Sequence, residues 1–315
     1  MKQVEYFKYG GPEVLRVNEV SKPKPSKGEI LVKVMASSIN AIDWKNRQGK
    51  FRHVSGLLRP RTKQGFDIAG FVEDIGYGIS GIQAGDRVIG QLANLQGGAF
   101  AQHVILKSNQ YCLAPPETSF LELAGIPMAA TTAWQALFEN AHLVSGAHVL
   151  INGGSSGVGH YAIQIAKAYG ATVTTICSGK NFEFCRDLGS DTLIDYHKED
   201  FTNKEIQYDI IFDVMNNQSL EQVKHIMKQN AIYIGTTPTP TLLWSILKSS
   251  LTSKKAKFVA VRPNTKALRD ICRLIEEDRL KTKIDKIFSL FDIIEAHRYS
   301  ELSRTCGKVI IQINE

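Results

Sequence analysis

The run Val149-Leu150-Ile151-Asn152-Gly153-Gly154-Ser155-Ser156-Gly157-Val158-Gly159 leads an apolar stretch into a glycine-serine turn and then a helix. Residues of these types at this spacing suit a phosphate, and the plainer alternative is a simple tight turn. Glycines let the backbone approach a pyrophosphate, and the helix start offers unpaired N–H groups and the positive end of its dipole. Gly154, Ser155, Ser156, Gly157 and Val158 are the expected contacts. The β-branched segment Ala171-Thr172-Val173-Thr174-Thr175-Ile176 follows Gly170, so strand, turn, helix and strand come in βαβ order. That order suits a dinucleotide.

Residues just past the second strand select the dinucleotide, because an NAD site places an Asp or Glu there to hold the ribose 2′-hydroxyl. This chain reads Cys177-Ser178-Gly179-Lys180-Asn181 instead. A lysine beside a hydroxyl and an amide suits a 2′-phosphate, so Ser178, Lys180 and Asn181 favour NADPH over NADH. The plainer alternative is a solvated Lys180 with Ser178 and Asn181 capping the next helix. Tyr196 follows another short strand, where it is placed to lie against the adenine, and Asn216, Gly235 and Thr236 follow the ends of later strands, where ligands of doubly wound sheets sit.

The elements that must position these residues divide the chain. Short strands punctuated by turns are expected at 4–9, 15–20, 29–38, 68–75, 87–90 and 99–105, a β-rich domain. After Pro115-Pro116 the pattern becomes helical, at 120–125 and 127–140. Buried strands are expected at 208–214 and 231–235 with a helix at 220–228 between them. The stretch 236–257 reads as a loop with a short helix over the cofactor cleft. A strand at 258–261, a helix at 266–277 and a last strand at 307–311 returning to the first domain complete the reading. The domains are then 1–117, 118–265 and a C-terminal return at 266–315.

Composition excludes several classes. The chain has 315 residues, 43% hydrophobic and 22% charged, with no apolar run long enough to span a membrane. Residues 1–6 read as a strand rather than a signal peptide. The five cysteines are odd in number and widely spaced, which suits a reducing compartment, and the cytoplasm is expected. The 38 basic against 31 acidic residues give a formal charge of +7, favourable for capturing a polyanionic cofactor. Clusters such as Lys22-Pro23-Lys24, Arg59-Pro60-Arg61 and Lys254-Lys255 lack interleaved aromatics, so nucleic acid is not an expected partner. With no CxxC, HExxH or close Cys/His set, no metal site is expected.

Over essentially its whole length the chain resembles the medium-chain dehydrogenase/reductase superfamily, in its zinc-free quinone oxidoreductase branch with the alkenal and enone reductases. The motifs are Asn40-Ala41-Ile42-Asp43-Trp44-Lys45, Gly65-Phe66-Asp67-Ile68-Ala69-Gly70, Gly85-Asp86-Arg87-Val88, Gly98-Ala99-Phe100-Ala101 and Pro127-Met128-Ala129-Ala130-Thr131-Thr132-Ala133-Trp134. The resemblance implies an α/β protein with a Rossmann doubly wound parallel sheet domain and a GroES-like β-rich domain built from both chain ends. The zinc-dependent branch places a cysteine near Ser37-Ser38 and a His-Glu pair where this chain has Phe66-Asp67, and needs a further cysteine cluster that is missing here.

The resemblance therefore implies a zinc-independent reductase moving a hydride from NADPH to a quinone or α,β-unsaturated carbonyl. Asn40 is placed beside the nicotinamide as donor to a carbonyl or the ribose, with Asp43 and Lys45 setting the polarity of the cleft. An Asp three residues after an Asn is equally a helix cap. Thr131 resembles the family threonine near nicotinamide and phosphates, and Trp244 and Phe258 are candidates for an apolar substrate wall. A homodimer joined along 258–261 is the family expectation. The same features admit a nucleotide-binding protein with little turnover, structural or RNA-contacting, or a zinc-free reductase of another carbonyl class.

Overall fold

The computed structural model describes residues 1–52, 56–57, 60, 63–93, 97–203 and 206–314. Arg59 and Arg61 of the basic cluster lie outside the described residues. The chain forms two compact units: Met1–Thr131 with Arg262–Glu277 and Lys281–Glu315, and Thr132–Val261 with Asp278–Leu280.

Strands of the first unit are β1 (Lys2–Glu5), β2 (Arg16–Glu19), β3 (Glu29–Ile39), β4 (Asp67–Ile75), β5 (Arg87–Gln91), β6 (His103–Lys107) and β7 (Tyr111–Leu113). Those of the second are β8 (His148–Asn152), β9 (Thr172–Cys177), β10 (Thr192–Asp195), β11 (Tyr208–Asp213), β12 (Met227–Gly235) and β13 (Lys255–Phe258). The chain then returns to the first unit with β14 (Ile284–Ser289) and β15 (Lys308–Gln312).

The second unit is a six-stranded sheet in the order β10-β9-β8-β11-β12-β13, parallel throughout. Counted from β8 this is the 3-2-1-4-5-6 order of dinucleotide-binding sheets, whose switch point falls between β8 and β11. The apolar runs of β8 and β11 are fully or nearly fully buried from Val149 to Ile151 and from Ile210 to Phe212, as strands covered on both faces must be. The helix Gly159–Ala168 buries Tyr161, Ala162, Ile163, Ile165 and Ala166, and each isoleucine contributes roughly 1.5–3 kcal/mol. Gly170, at φ +78°, ends it in a backbone conformation that suits glycine.

The first unit is built on the sheet β14-β15-β3-β4-β5-β7, with β6 paired to β3 and a separate β1-β2 pair. It is antiparallel except for β14 with β15. The final strand runs beside β3, with Val309 opposite Ile39. This is the mixed architecture of a GroES-like β domain and a Rossmann-type parallel sheet. A core of Val4, Tyr6, Leu15, Phe100, Ile293 and Ile311 fills the first unit, and one of Leu150, Ile176, Tyr208, Ile211, Ile226 and Tyr233 lies in the second.

Some elements fall elsewhere than the sequence pattern suggests. The strand expected at 258–261 is Lys255–Phe258, because Ala256 turns into the core while lysines flank it. The helical stretch 127–140 changes to π-helix over Gln135–Asn140. Within 236–257 the helix is Pro240–Ser249, opened by Thr239, whose hydroxyl accepts from Leu242 N at 3.1 Å, and by Pro240 at its first position.

Candidate active site

In the second unit the glycine-serine turn leaves β8 with Gly153 at φ +93°. Ser156 Oγ donates to Gly153 O at 2.6 Å and accepts from Gly159 N at 3.1 Å, closing the turn on itself. Two glycines have no room for a side chain. A Cβ on Gly154 would stand 2.0 Å from Thr175 Cγ2, and one on Gly159 would stand 2.1 Å from Gly153 O. The turn is thus pressed against β9, while Ser155, Ser156, Gly157 and Val158 remain half-buried.

Asn181 Nδ2 donates to Ser155 Oγ at 2.9 Å, which brings the two stretches read as phosphate-binding into one surface. Ser178 precedes the short 3-10 turn Gly179–Asn181, and Lys180 within it is exposed. Asp195, missed by the sequence reading, ends β10 with its Oδ2 only 2.6 Å from where a Cβ on Gly179 would lie. A signal was present in an acidic residue closing a short strand next to the second one. Tyr196 is exposed and lies against His197, ring centroids 4.2 Å apart.

Across the switch point, Asp213 at the end of β11 is a buried hub. Its Oδ1 accepts from Asn152 Nδ2 at 2.8 Å and Asn216 N at 2.9 Å, its Oδ2 from Tyr233 Oη at 2.8 Å and Gln218 N at 3.0 Å. Burial pushes its carboxyl above the usual range, against the pull of those four donors. Asn216, at φ +54°, accepts at Oδ1 from Thr236 N at 2.8 Å and Thr237 N at 2.9 Å, and donates to Thr236 Oγ1 at 2.5 Å. A Cβ on Gly235 would meet Leu242 Cδ2 at 2.7 Å. Asn216, Gly235 and Thr236 therefore form one joined rim at the carboxyl ends of β11 and β12.

The first unit holds a buried polar network around Asn40. Asn40 Nδ2 donates to Asp67 Oδ2 at 2.7 Å, and Asn40 Oδ1 accepts from Lys308 Nζ at 2.7 Å. Ser38 Oγ donates to the same carboxylate oxygen, while Asp67 Oδ1 accepts from Met128 N at 2.7 Å. Lys308 Nζ lies 3.6 Å from Asp67 Oδ2, and both side chains are almost wholly out of water. Burial lowers the lysine's pKa, opposed by Asp67 and Asp43. The charges on either side fix the amide: exchanging its O and N would turn the NH2 toward an ammonium and the oxygen toward a carboxylate.

Asp43 is placed by the capping arrangement at the start of the helix Ala41–Arg47. Its Oδ2 accepts from Asn40 N at 2.8 Å and its Oδ1 from Gly65 N at 3.0 Å. Burial pushes its carboxyl up to about 7 despite these two donors. Lys45 sits with Nζ 5.6 Å from the Trp44 ring centroid, and burial lowers its pKa. Thr131 is fully buried, with no hydrogen-bond partner for Oγ1. Trp244 is exposed on its helix with Lys248 Nζ 5.2 Å from its ring centroid, and Phe258 packs on the core of the second unit.

Lys308 and Asp67 were not singled out as site residues. The available signal was a charged residue at the start of each of two apolar strands, which must find a partner if buried. The metal-donor positions of the zinc-dependent branch are taken up otherwise: Ser37 Oγ donates to Asp67 O at 2.6 Å, Ser38 serves Asp67, and Phe66 is core. Among the described residues no group of three or more His, Cys, Asp or Glu is arranged to hold a metal ion.

Residues 26–117 match the alcohol dehydrogenase GroES-like domain family, and residues 188–311 match the family described as zinc-binding dehydrogenase. The chain is 30% identical to the chloroplast envelope quinone oxidoreductase homologue of Arabidopsis thaliana, over 99% of this chain and 98% of that protein. It is 29% identical to the NADPH-dependent alkenal/one oxidoreductase, chloroplastic, of the same plant, over 99% of this chain and 79% of that one. The quinone oxidoreductase from Coxiella burnetii shares the fold with a TM-score of 0.91 and 30% identity, covering 100% and 99% of the two chains. With such identity along nearly its full length, the chain belongs to the medium-chain dehydrogenase/reductase superfamily, alongside its quinone oxidoreductase homologues and alkenal/enone reductases.

Proposed function

We propose that this protein is a zinc-independent oxidoreductase that uses NADPH to reduce a quinone or an α,β-unsaturated carbonyl. The observation that carries the reading is the buried Ser38-Asp67-Asn40-Lys308 network, which stands where a metal-dependent relative needs zinc donors. Lewis-acid activation of an alcohol would need a set of metal donors, and the described residues offer none, whereas an acceptor already polarised for hydride needs only orientation and a hydrogen bond.

The second unit fits a dinucleotide phosphate. The turn Ser155 to Val158 and the start of the helix Gly159–Ala168 would hold the diphosphate, and Ser178, Lys180 and Asn181 the 2′-phosphate. Asn216, Gly235 and Thr236 would hold the nicotinamide side of the cofactor at the rim of β11 and β12, and Thr131 offers an unpartnered hydroxyl. When bound, NADPH supplies the hydride from C4 of its nicotinamide. Asn40 then acts as the donor to the acceptor's carbonyl oxygen: one N–H is committed to Asp67, and the other has only the marginal contact to Ser38 O at 3.5 Å. Lys308 and Asp67 keep that N–H aimed, Asp43 fixes the backbone of Asn40, and the resulting enolate or quinol anion takes a proton from water. Lys45 contributes positive charge near the same helix.

A second copy pairing along β13, the edge of the six-stranded sheet, gives the homodimer included in this reading. A monomer mass by light scattering across working concentrations would contradict it. No helix among the described residues is long and apolar enough to cross a membrane, and we assign the protein to the cytoplasm on its cysteine usage.

The test is oxidation of NADPH, with NADH in parallel, against quinones, alkenals, enones, saturated aldehydes and alcohols. Reduction of quinones or enones with NADPH preferred is expected. Tight NADPH binding without turnover on any acceptor would instead assign a nucleotide-binding role.

A further inference from the structure

Outside the candidate active site, the first unit brings two cysteines from distant parts of the chain into contact. Cys112 lies in the middle of β7 and Cys272 in the helix Thr265–Glu276, 160 residues apart in sequence, with Sγ atoms 3.8 Å apart. Nothing can stand between sulfurs at that distance. Both line a cavity of about 520 Å³, together with Tyr111, Arg269, Arg273 and the turn at Gly78. The side chains are otherwise nearly buried, so this cavity is their route to a small reagent.

We propose that Cys112 and Cys272 form a redox-modifiable dithiol, oxidised by a small hydroperoxide to a disulfide that ties β7 to the helix Thr265–Glu276. In the first step one thiolate sulfur attacks the peroxide, forming an S–O bond and breaking O–O. The products are a sulfenic acid and, after protonation, water. The second cysteine then attacks the sulfenic sulfur, forming S–S and expelling the second water. Two thiols and one hydrogen peroxide thus give one disulfide and two waters: the sulfurs are oxidised and the peroxide oxygens reduced. Bond formation requires the sulfurs to close by roughly 1.8 Å, within reach of side-chain rotation where strand and helix already touch.

Contact with Cys112 and burial both raise the Cys272 thiol above its ordinary pKa, so Cys272 is held protonated at neutral pH. Cys177 differs: a hydrogen bond with Cys185 lowers its pKa. It is the internal comparison for selectivity.

The experiment treats the folded full-length chain with hydrogen peroxide, alkylates remaining thiols under denaturing conditions, and maps peptides without reductant. The expected result is a peptide pair linked through Cys112 and Cys272 that disappears on reduction, with an upward shift in Tm that reductant reverses. Recovery of both cysteines alkylated, as separate sulfinic acids, or linked only to other cysteines would overturn the proposal. Cys112→Ser and Cys272→Ser should each abolish the peroxide-induced Tm shift. Persistence of that shift in both variants would also overturn it.

Discussion

Lys308 Nζ donates to Asn40 Oδ1 at 2.7 Å, joining the last strand of the chain to a residue 268 positions earlier. The contact depends on β15 running antiparallel to β3, since Val309 pairs with Ile39 and the neighbouring residues are thereby brought together. A strand addition that looks purely architectural therefore sets the orientation of the amide proposed to face the acceptor. Asp67 completes the constraint from β4.

Removing one charge from this network leaves the other stranded. Lys308→Met should lower stability by about 3–5 kcal/mol, as for a broken buried ion pair. Lys308→Met combined with Asp67→Asn should recover more than half of that loss, because neither charge remains. Urea unfolding of the three proteins checks this, and additive losses would show that the two side chains are not coupled.

Asn40→Ala should reduce kcat on the order of 10²-fold, the scale of one lost donor to a developing oxyanion. Affinity for NADPH should change little. Steady-state kinetics with an enone or quinone, alongside NADPH titration, separate the two. A change confined to NADPH binding would give Asn40 a ribose-binding role.

Lys180→Ala with Ser178→Ala should weaken NADPH by roughly 10–100-fold, the loss of hydrogen bonds to a charged phosphate, and should leave NADH nearly untouched. Calorimetric titration of both cofactors decides it. Equal weakening would mean that these side chains do not read the 2′-phosphate, and would turn attention to Asp195 behind Gly179.

Gly154→Ala should cost about 1–3 kcal/mol through overpacking, since its Cβ would meet Thr175 Cγ2 at 2.0 Å. Adding Thr175→Ser removes the offending methyl and keeps the hydroxyl that contacts Ser190 Oγ at 2.5 Å. The double variant should regain stability and NADPH binding. Failure of the second change to restore either would place the conflict elsewhere in the turn.

Two buried groups set opposing pH dependences. His297, wholly buried near Arg47, has its pKa lowered from 6.5 to about 3, chiefly by burial. Unfolding then takes up a proton below 6.5, so stability is full above 6.5 and falls toward pH 3. Asp43 is raised from 3.8 to about 7. Folding takes up its proton, so this contribution is full below 3.8 and is lost as pH rises through 7. Between 3.8 and 6.5 the two slopes, each about 1.4 kcal/mol per pH unit, oppose each other. Relative to the parent, His297→Leu should gain stability as pH rises less steeply, and Asp43→Asn should lose stability more steeply on acidification. Denaturant curves at several pH values measure both slopes, and parallel profiles would refute the assignment.

The unit proposed to bind the nucleotide was legible as a strand, turn and helix because it is local: the three lie consecutively from Val149 to Ala168. That Asn216, Gly235 and Thr236 lie at the ends of later strands was legible for a related reason, since buried parallel strands show as apolar runs. The Asn40-Asp67-Lys308 network was not, because a helix cap and two strands far apart in sequence supply it and a single lysine before Val309-Ile310-Ile311 does not announce its partner. The strand Ile284–Ser289 was missed because it has no fully buried position, so its sequence shows no apolar run. The helix Ile293–Glu301 was missed as well, although Ile293, Ala296 and His297 give it a buried face.

Zinc independence would show in NADPH-dependent turnover of an enone or quinone by protein dialysed against chelator, with residual metal measured in the same sample. Full turnover with metal far below one equivalent per chain is the predicted result. Activity that vanishes with the metal and returns with added zinc would make this protein a zinc enzyme instead.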